Sequence, residues 1–111
     1  MRWMILVFAL VPSQAIADWA RLDGAAITCT LSETSLSFGN GATQHFFAWG
    51  RTLYTAAKPS WGTWRTQDDQ YFSLWPPNDV WDCFTVETDD AWQIAFEDAQ
   101  GNRGIGQQSR P

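Results

Sequence analysis

The 111-residue sequence is poor in the side chains that carry most metal and nucleophilic chemistry. It has one histidine and two cysteines. Structural zinc needs about four such ligands, so the chain falls short even if all three converge. A calcium loop needs several oxygen ligands in a short stretch with a permissive glycine. Asp98-Ala99-Gln100-Gly101-Asn102 comes nearest, and it reads better as a hairpin turn. No metal and no cofactor is expected. A catalytic histidine needs a nucleophile to serve and a carboxylate to orient it. No nucleophile-elbow sequence is present, and His45, between Gln44 and Phe46, reads as a half-exposed strand residue. Basic charge is scarce too, with 7 Lys+Arg against 12 Asp+Glu. That balance gives no electrostatic reason to bind nucleic acid or an anionic membrane. The apolar run at residues 5–11 is far short of the ~20 residues that span a bilayer.

That short run fits another pattern. One positive charge at Arg2 precedes it, Pro12-Ser13-Gln14 breaks it, and Ala15-Ile16-Ala17 supplies small residues. Together these predict a secretory signal peptide over 1–17, cleaved after Ala17. The first cysteine is Cys29, so no lipid-anchoring cysteine follows the cleavage site. The expectation is a soluble periplasmic or secreted domain without a membrane span. Removing 17 of the 111 residues leaves 94, in one small domain over 18–111 whose core is marginal in size. Two cysteines in an exported chain predict one disulfide, Cys29–Cys83. The alternatives are two buried thiols or pairing between chains. Closing so long a loop contributes ~4 kcal/mol in the chain-entropy account.

What the chain has in quantity is aromatic rings. Seven tryptophans, six phenylalanines and two tyrosines follow residue 17. Aromatics favour strands and bring much apolar area each. Turn signals recur at 39–41, 50–51, 58–60, 67–69, 76–79, 88–90 and 100–102. Between them lie runs suited to strands near 34–38, 43–49, 52–57, 62–67, 70–75, 81–87, 91–97 and 103–107. Short connections between successive strands predict an antiparallel meander.

Alternation supports this. In 91–97, Trp92, Ile94 and Phe96 share a face. In 81–87, Trp81, Cys83 and Thr85 oppose Asp82, Phe84 and Val86. Both 70–75 and 81–87 carry apolar groups on two faces, so a helix, a curled sheet or a partner must cover the second. The polar residues after about 102 read as an edge strand or a frayed tail. Segment 22–32 is ambiguous. Ile27-Thr28-Cys29-Thr30-Leu31 alternates like a strand, yet Asp23 is a good N-cap, Leu22 a candidate staple, and Ile27 and Leu31 share a helical face. A helix over 23–32 would cover the sheet and bring Cys29 beside Cys83.

Certain motifs carry a resemblance. They are Leu22-Asp23-Gly24, Gly50-Arg51-Thr52-Leu53-Tyr54, Gly62-Thr63-Trp64, Asp69-Gln70-Tyr71-Phe72-Ser73-Leu74-Trp75-Pro76-Pro77 and Trp81-Asp82-Cys83-Phe84. Over roughly 22–97 the chain resembles a group of small secreted alphaproteobacterial proteins. The resemblance implies a short N-terminal helix followed by a β-meander, and no activity. Chains of that group often carry Cys where Phe72 stands, able to pair with the equivalent of Cys83. Here Phe72 cannot, which leaves Cys29 as partner. Gly62-Thr63-Trp64 is also similar to the Gly-x-Trp of lipocalins, where it lies near the start of a longer barrel.

The fold expected is thus mainly β: a short N-terminal helix packed on an antiparallel meander or half-barrel of about 7–8 strands. The function expected is a non-enzymatic exported binding or interaction domain, with a periplasmic protein or a small ligand as partner. Trp61, Trp64, Trp75 and Trp81 flank two turns, and exposed members could stack on a glycan or an apolar ligand. The alternative for each is core packing. A small hydrolase would use His45, or the adjacent acids Asp68-Asp69 and Asp89-Asp90. Both acid pairs fall in turns, and 94 residues leave little room for a walled cleft.

Overall fold

The computed structural model describes residues 18–109. The predicted signal peptide and its cleavage site lie outside the described residues.

The chain runs β1 (Ala20–Arg21), α1 (Gly24–Leu31), β2 (Thr34–Phe38), β3 (Thr43–Phe46), β4 (Arg51–Thr55), β5 (Pro59–Gln67), β6 (Gln70–Leu74), β7 (Asp82–Thr88), β8 (Gln93–Glu97) and β9 (Arg103–Gln108). Every ladder is antiparallel. Strands β2 to β9 pair in sequence order, and β2 then pairs with β9, closing an eight-stranded up-and-down barrel. The two-residue β1 adds to β7 outside the closed ring. The described residues are therefore mainly β, with one short helix. The polar C-terminal segment is no edge: β9 pairs with β8 on one side and β2 on the other.

Turn chemistry explains the connections. Asp68 and Asp69 both take positive φ, 53° and 59°, as the two-residue hairpin between β5 and β6 requires. Asp89 Oδ1 accepts from Ala91 N and Gln93 N. Asp98 Oδ1 accepts from Gln100 N and Asn102 N. In each turn a short acid replaces missing backbone partners.

The helix begins where its capping residue predicts. Asp23 is extended, and its carboxylate accepts from Ala26 N at 2.8 Å. Ile27 and Leu31 are fully buried and join Leu36, Phe46, Trp64, Tyr71, Val86 and Ile94 in one cluster. Two hydrogen bonds seat α1 on the β5–β6 hairpin: Gly24 N to Asp69 Oδ1, and Thr28 Oγ1 with Thr66 Oγ1, both 2.8 Å. The helix thus plugs one end of the barrel and does not lie on an outer face. Curling of the sheet gives β6 and β7 their inner apolar face. On their outer face, Arg65 lies over the rings of Phe72 and Trp81.

The expected disulfide is absent: Cys29 and Cys83 are free thiols. Cys29 is exposed on α1 and shares a surface groove with Thr88. Cys83 lies on the outer face of β7, five positions before Thr88. At about 3.3 Å per residue that is about 16 Å of strand, whereas bridged cysteines keep their Cα atoms within about 7 Å. The outward neighbour of Cys83 in register is Phe72.

Candidate ligand cavity in the barrel mouth

Inward positions divide along the barrel axis. Near α1 they hold Leu36, Phe46, Trp64, Val86 and Ile94, packed without solvent access beyond a few per cent. Toward the other end they hold Gln44 on β3, Tyr54 on β4, Tyr71 and Ser73 on β6, Phe84 on β7 and Phe96 on β8. With Trp75, just past β6, these seven line a cavity of about 280 Å³. Ligand clefts usually fall in the range of about 300–1,000 Å³, so this one suits a small occupant. Narrow eight-stranded barrels either fill their interior with side chains or hold one small ligand. This barrel does the first at its closed end and leaves space for the second at its open end.

Rings form the cavity walls. Tyr54 and Trp75 meet edge-to-face at 6.3 Å, as do Phe84 and Phe96. Tyr71 touches Phe84 and Phe96 at 5.9 and 5.2 Å between centroids. The Trp75 ring rests on Gly62: a Cβ there would come within 2.7 Å of it. Glycine at this inward position of β5 makes room for the indole.

The polar groups form a chain. Trp75 Nε1 donates to Ser73 Oγ at 3.1 Å. Gln44 Nε2 donates to Thr52 Oγ1 at 3.0 Å, and Thr52 Oγ1 donates to the His45 carbonyl at 2.8 Å. Between them sits the Tyr71 hydroxyl. Burial pushes its pKa well above the ordinary phenol range, against the opposing hydrogen bonds of Ser73 and Gln44. Tyr71 therefore stays a neutral phenol across the physiological range. No lining residue is charged.

The four candidate tryptophans separate. Trp75 lines the cavity. Trp64 is core, 5 % exposed, its Nε1 donating to the Phe47 carbonyl at 2.9 Å. Trp61 lies on the outer wall, where its ring stacks on Phe47 and receives Arg51. Trp81 lies apart from it, over Arg65. Trp49 was no candidate, yet it is 67 % exposed and packs on Phe47. Tryptophan is the residue type that stands out in the sequence. The cavity instead depends on Gln44, Tyr54, Tyr71, Ser73, Phe84 and Phe96, and a polar inward residue such as Gln44 or Ser73 looks like an outward one until parity is known.

His45 has partners that lie far enough away in sequence to go unseen. Ser35 Oγ is 2.7 Å from its Nδ1, and Glu33 Oε1 is 3.5 Å from its Nε2. The Ser35–His45 pair is a cross-strand pair on the outer wall. None of the three residues lines the barrel cavity or the groove beside Cys29. Glu33 is committed elsewhere as well: its Oε2 accepts from Ala48 N at 2.7 Å, which with His45 holds its carboxyl below the ordinary range. The acid pairs serve as turn residues. Among the described residues no group of three His, Cys, Asp or Glu is placed to hold a metal ion, and no helix is long and apolar enough to cross a membrane. Comparison with protein-family models, curated proteins and solved structures gives no match.

Proposed function

We propose that this protein is a non-enzymatic binding module, exported from the cytoplasm, that holds a small uncharged ligand in the mouth of its barrel. One observation carries the reading: a cavity of about 280 Å³ walled by five aromatic rings, with polar groups on Gln44, Ser73 and Tyr71 and no charge. A core with no ligand to serve would be expected to close over that space, because unfilled apolar volume forfeits packing energy. Export rests on the leader pattern of residues 1–17.

Trp75 supplies a reporter. Titration of the purified protein with small neutral aromatic and aliphatic compounds should shift tryptophan emission and raise the melting temperature. Trp75→Phe should remove most of the spectral response. A flat response over the whole panel, with no change in melting temperature, would end the reading.

A second reading rests on the outer wall. Trp49 and Trp61, 67 % and 46 % exposed, flank the ring of Phe47. Such a platform suits stacking on a sugar ring or an apolar partner surface. Binding to a glycan panel that is lost in Trp49→Ala and Trp61→Ala would support it, and binding unchanged in both would remove it.

A further inference from the structure

The shape and polarity of the cavity narrow the ligand further, resting on the reading that the lumen binds. The two ring pairs stand on different strands. Tyr54 and Trp75 come from β4 and the end of β6, while Phe84 and Phe96 come from β7 and β8. Of the other lining rings, Tyr71 joins the second pair by ring contact, and all five rings face the same space. An occupant is therefore flanked by rings on both sides. Ring faces and edges attract another ring more than they attract an aliphatic chain of equal area.

Polarity adds a second constraint. Gln44 and Ser73 are 8 % and 2 % exposed, so their polar atoms are costly unless partnered. Thr52 takes one Gln44 N–H, and Trp75 Nε1 takes one Ser73 lone pair. A carboxamide has two donors and two acceptor sites, and a hydroxyl has one donor and two acceptor sites. With the Tyr71 hydroxyl bonded to both Ser73 and Gln44, the three groups together still keep one donor and spare acceptor sites beside the cavity they line. A hydroxyl is the smallest group that both donates and accepts. An ion would enter a charge-free site with nothing to offset its desolvation.

We infer that the cavity takes an uncharged planar ring bearing a hydroxyl group, a phenol, with its ring between the two aromatic walls and its oxygen on the Gln44, Tyr71 and Ser73 side chains. The Tyr71 hydroxyl, raised in pKa by burial, remains protonated and able to serve that oxygen at neutral pH.

The test uses four probes on the purified protein, with binding read by tryptophan emission and calorimetry. Phenol should bind about 3- to 10-fold more tightly than benzene, the range set by one net hydrogen bond. It should also outbind cyclohexanol, and benzoate should not bind. Tyr71→Phe and Ser73→Ala should each shrink the phenol advantage over benzene, read as the ratio of the two affinities within each variant. If one of these variants fails to fold, the other carries the same comparison. Benzene binding as tightly as phenol, or phenol preference surviving both variants, overturns the hydroxyl assignment. Cyclohexanol equal to phenol overturns the planar assignment, and the lumen still binds. Silence from all four probes and from longer alkanols removes the lumen reading itself.

Discussion

The two ends of the barrel follow the same inward alternation and reach opposite results. At the closed end α1 enters with Ile27 and Leu31, and the interior becomes solid. At the open end no element among the described residues enters. The inward residues there are large rings mixed with Gln44 and Ser73, and a cavity remains. Eight strands fix the width of the interior. Whether that width becomes core or pocket depends on whether something plugs the end and on whether the lining residues seek polar partners.

The comparison breaks most sharply at Phe46. It is fully buried between Trp64, Tyr71 and Phe96. Phe46→Ala should cost about 3–5 kcal/mol in urea unfolding. Phe84→Ala, at the rim of an existing cavity, should cost clearly less and enlarge the pocket. Equal losses would show that the mouth is as tightly packed as the plug. Gly62→Ala comes next. The added methyl meets the Trp75 ring at 2.7–2.9 Å, so the indole must move, at about 1–3 kcal/mol. The ligand response of Trp75 should fall with it.

Asp23→Ala removes the helix cap and should cost about 1 kcal/mol. The loss belongs to the closed end, so lumen binding should be unchanged. Acid offers a finer contrast. Glu33, held mainly by Ala48 N–H, and Asp98, held mainly by the Asn102 side chain, both have folded pKa values below their ordinary 4.5 and 3.8. Each depressed carboxyl stabilises the fold above its ordinary value and loses that contribution as pH falls through its folded value. Unfolding midpoints measured from pH 6 to pH 3 should drop at the acid end. Glu33→Gln and Asp98→Asn should each flatten the drop. The smallest contrast is between the thiols. Titration of native protein should count two per molecule, exposed Cys29 reacting first and Cys83 later, because burial raises the pKa of the Cys83 thiol.

The eight barrel strands were legible because turn residues punctuate the sequence, while the helix was legible only as one of two readings of 22–32. Asp68-Asp69, Gln100-Gly101-Asn102 and the Asp23 cap all act where their chemistry says they should. Parity was legible in β7, where Phe84 and Val86 point inward as the alternation implied. It failed at Trp92, which takes φ 66° before β8 and is 41 % exposed, while Ile94 and Phe96 go in. Closure was one of three ways to cover the second apolar face, and nothing in the sequence selected it. The β2–β9 ladder joins Leu36 to Gln108, and the alternation of two distant segments does not reveal that they pair. Without closure there is no lumen, so nothing in the sequence marks Gln44 and Ser73 as lining residues, whereas the tryptophans stand out by type. The disulfide expectation failed for a related reason. Compartment and cysteine count say nothing about which wall a thiol stands on, and Cys29 went to the plug while Cys83 went outside.

The β2–β9 ladder also limits how this molecule can meet others. Once the ring is shut, the barrel strands leave no free row of amides for another chain to extend. The added strand β1 spans two residues, too short to template a neighbour. Among the described residues, strand addition is thus closed to a partner, which leaves loops and side chains, with the mouth rings and the wall rings as the two surfaces proposed above.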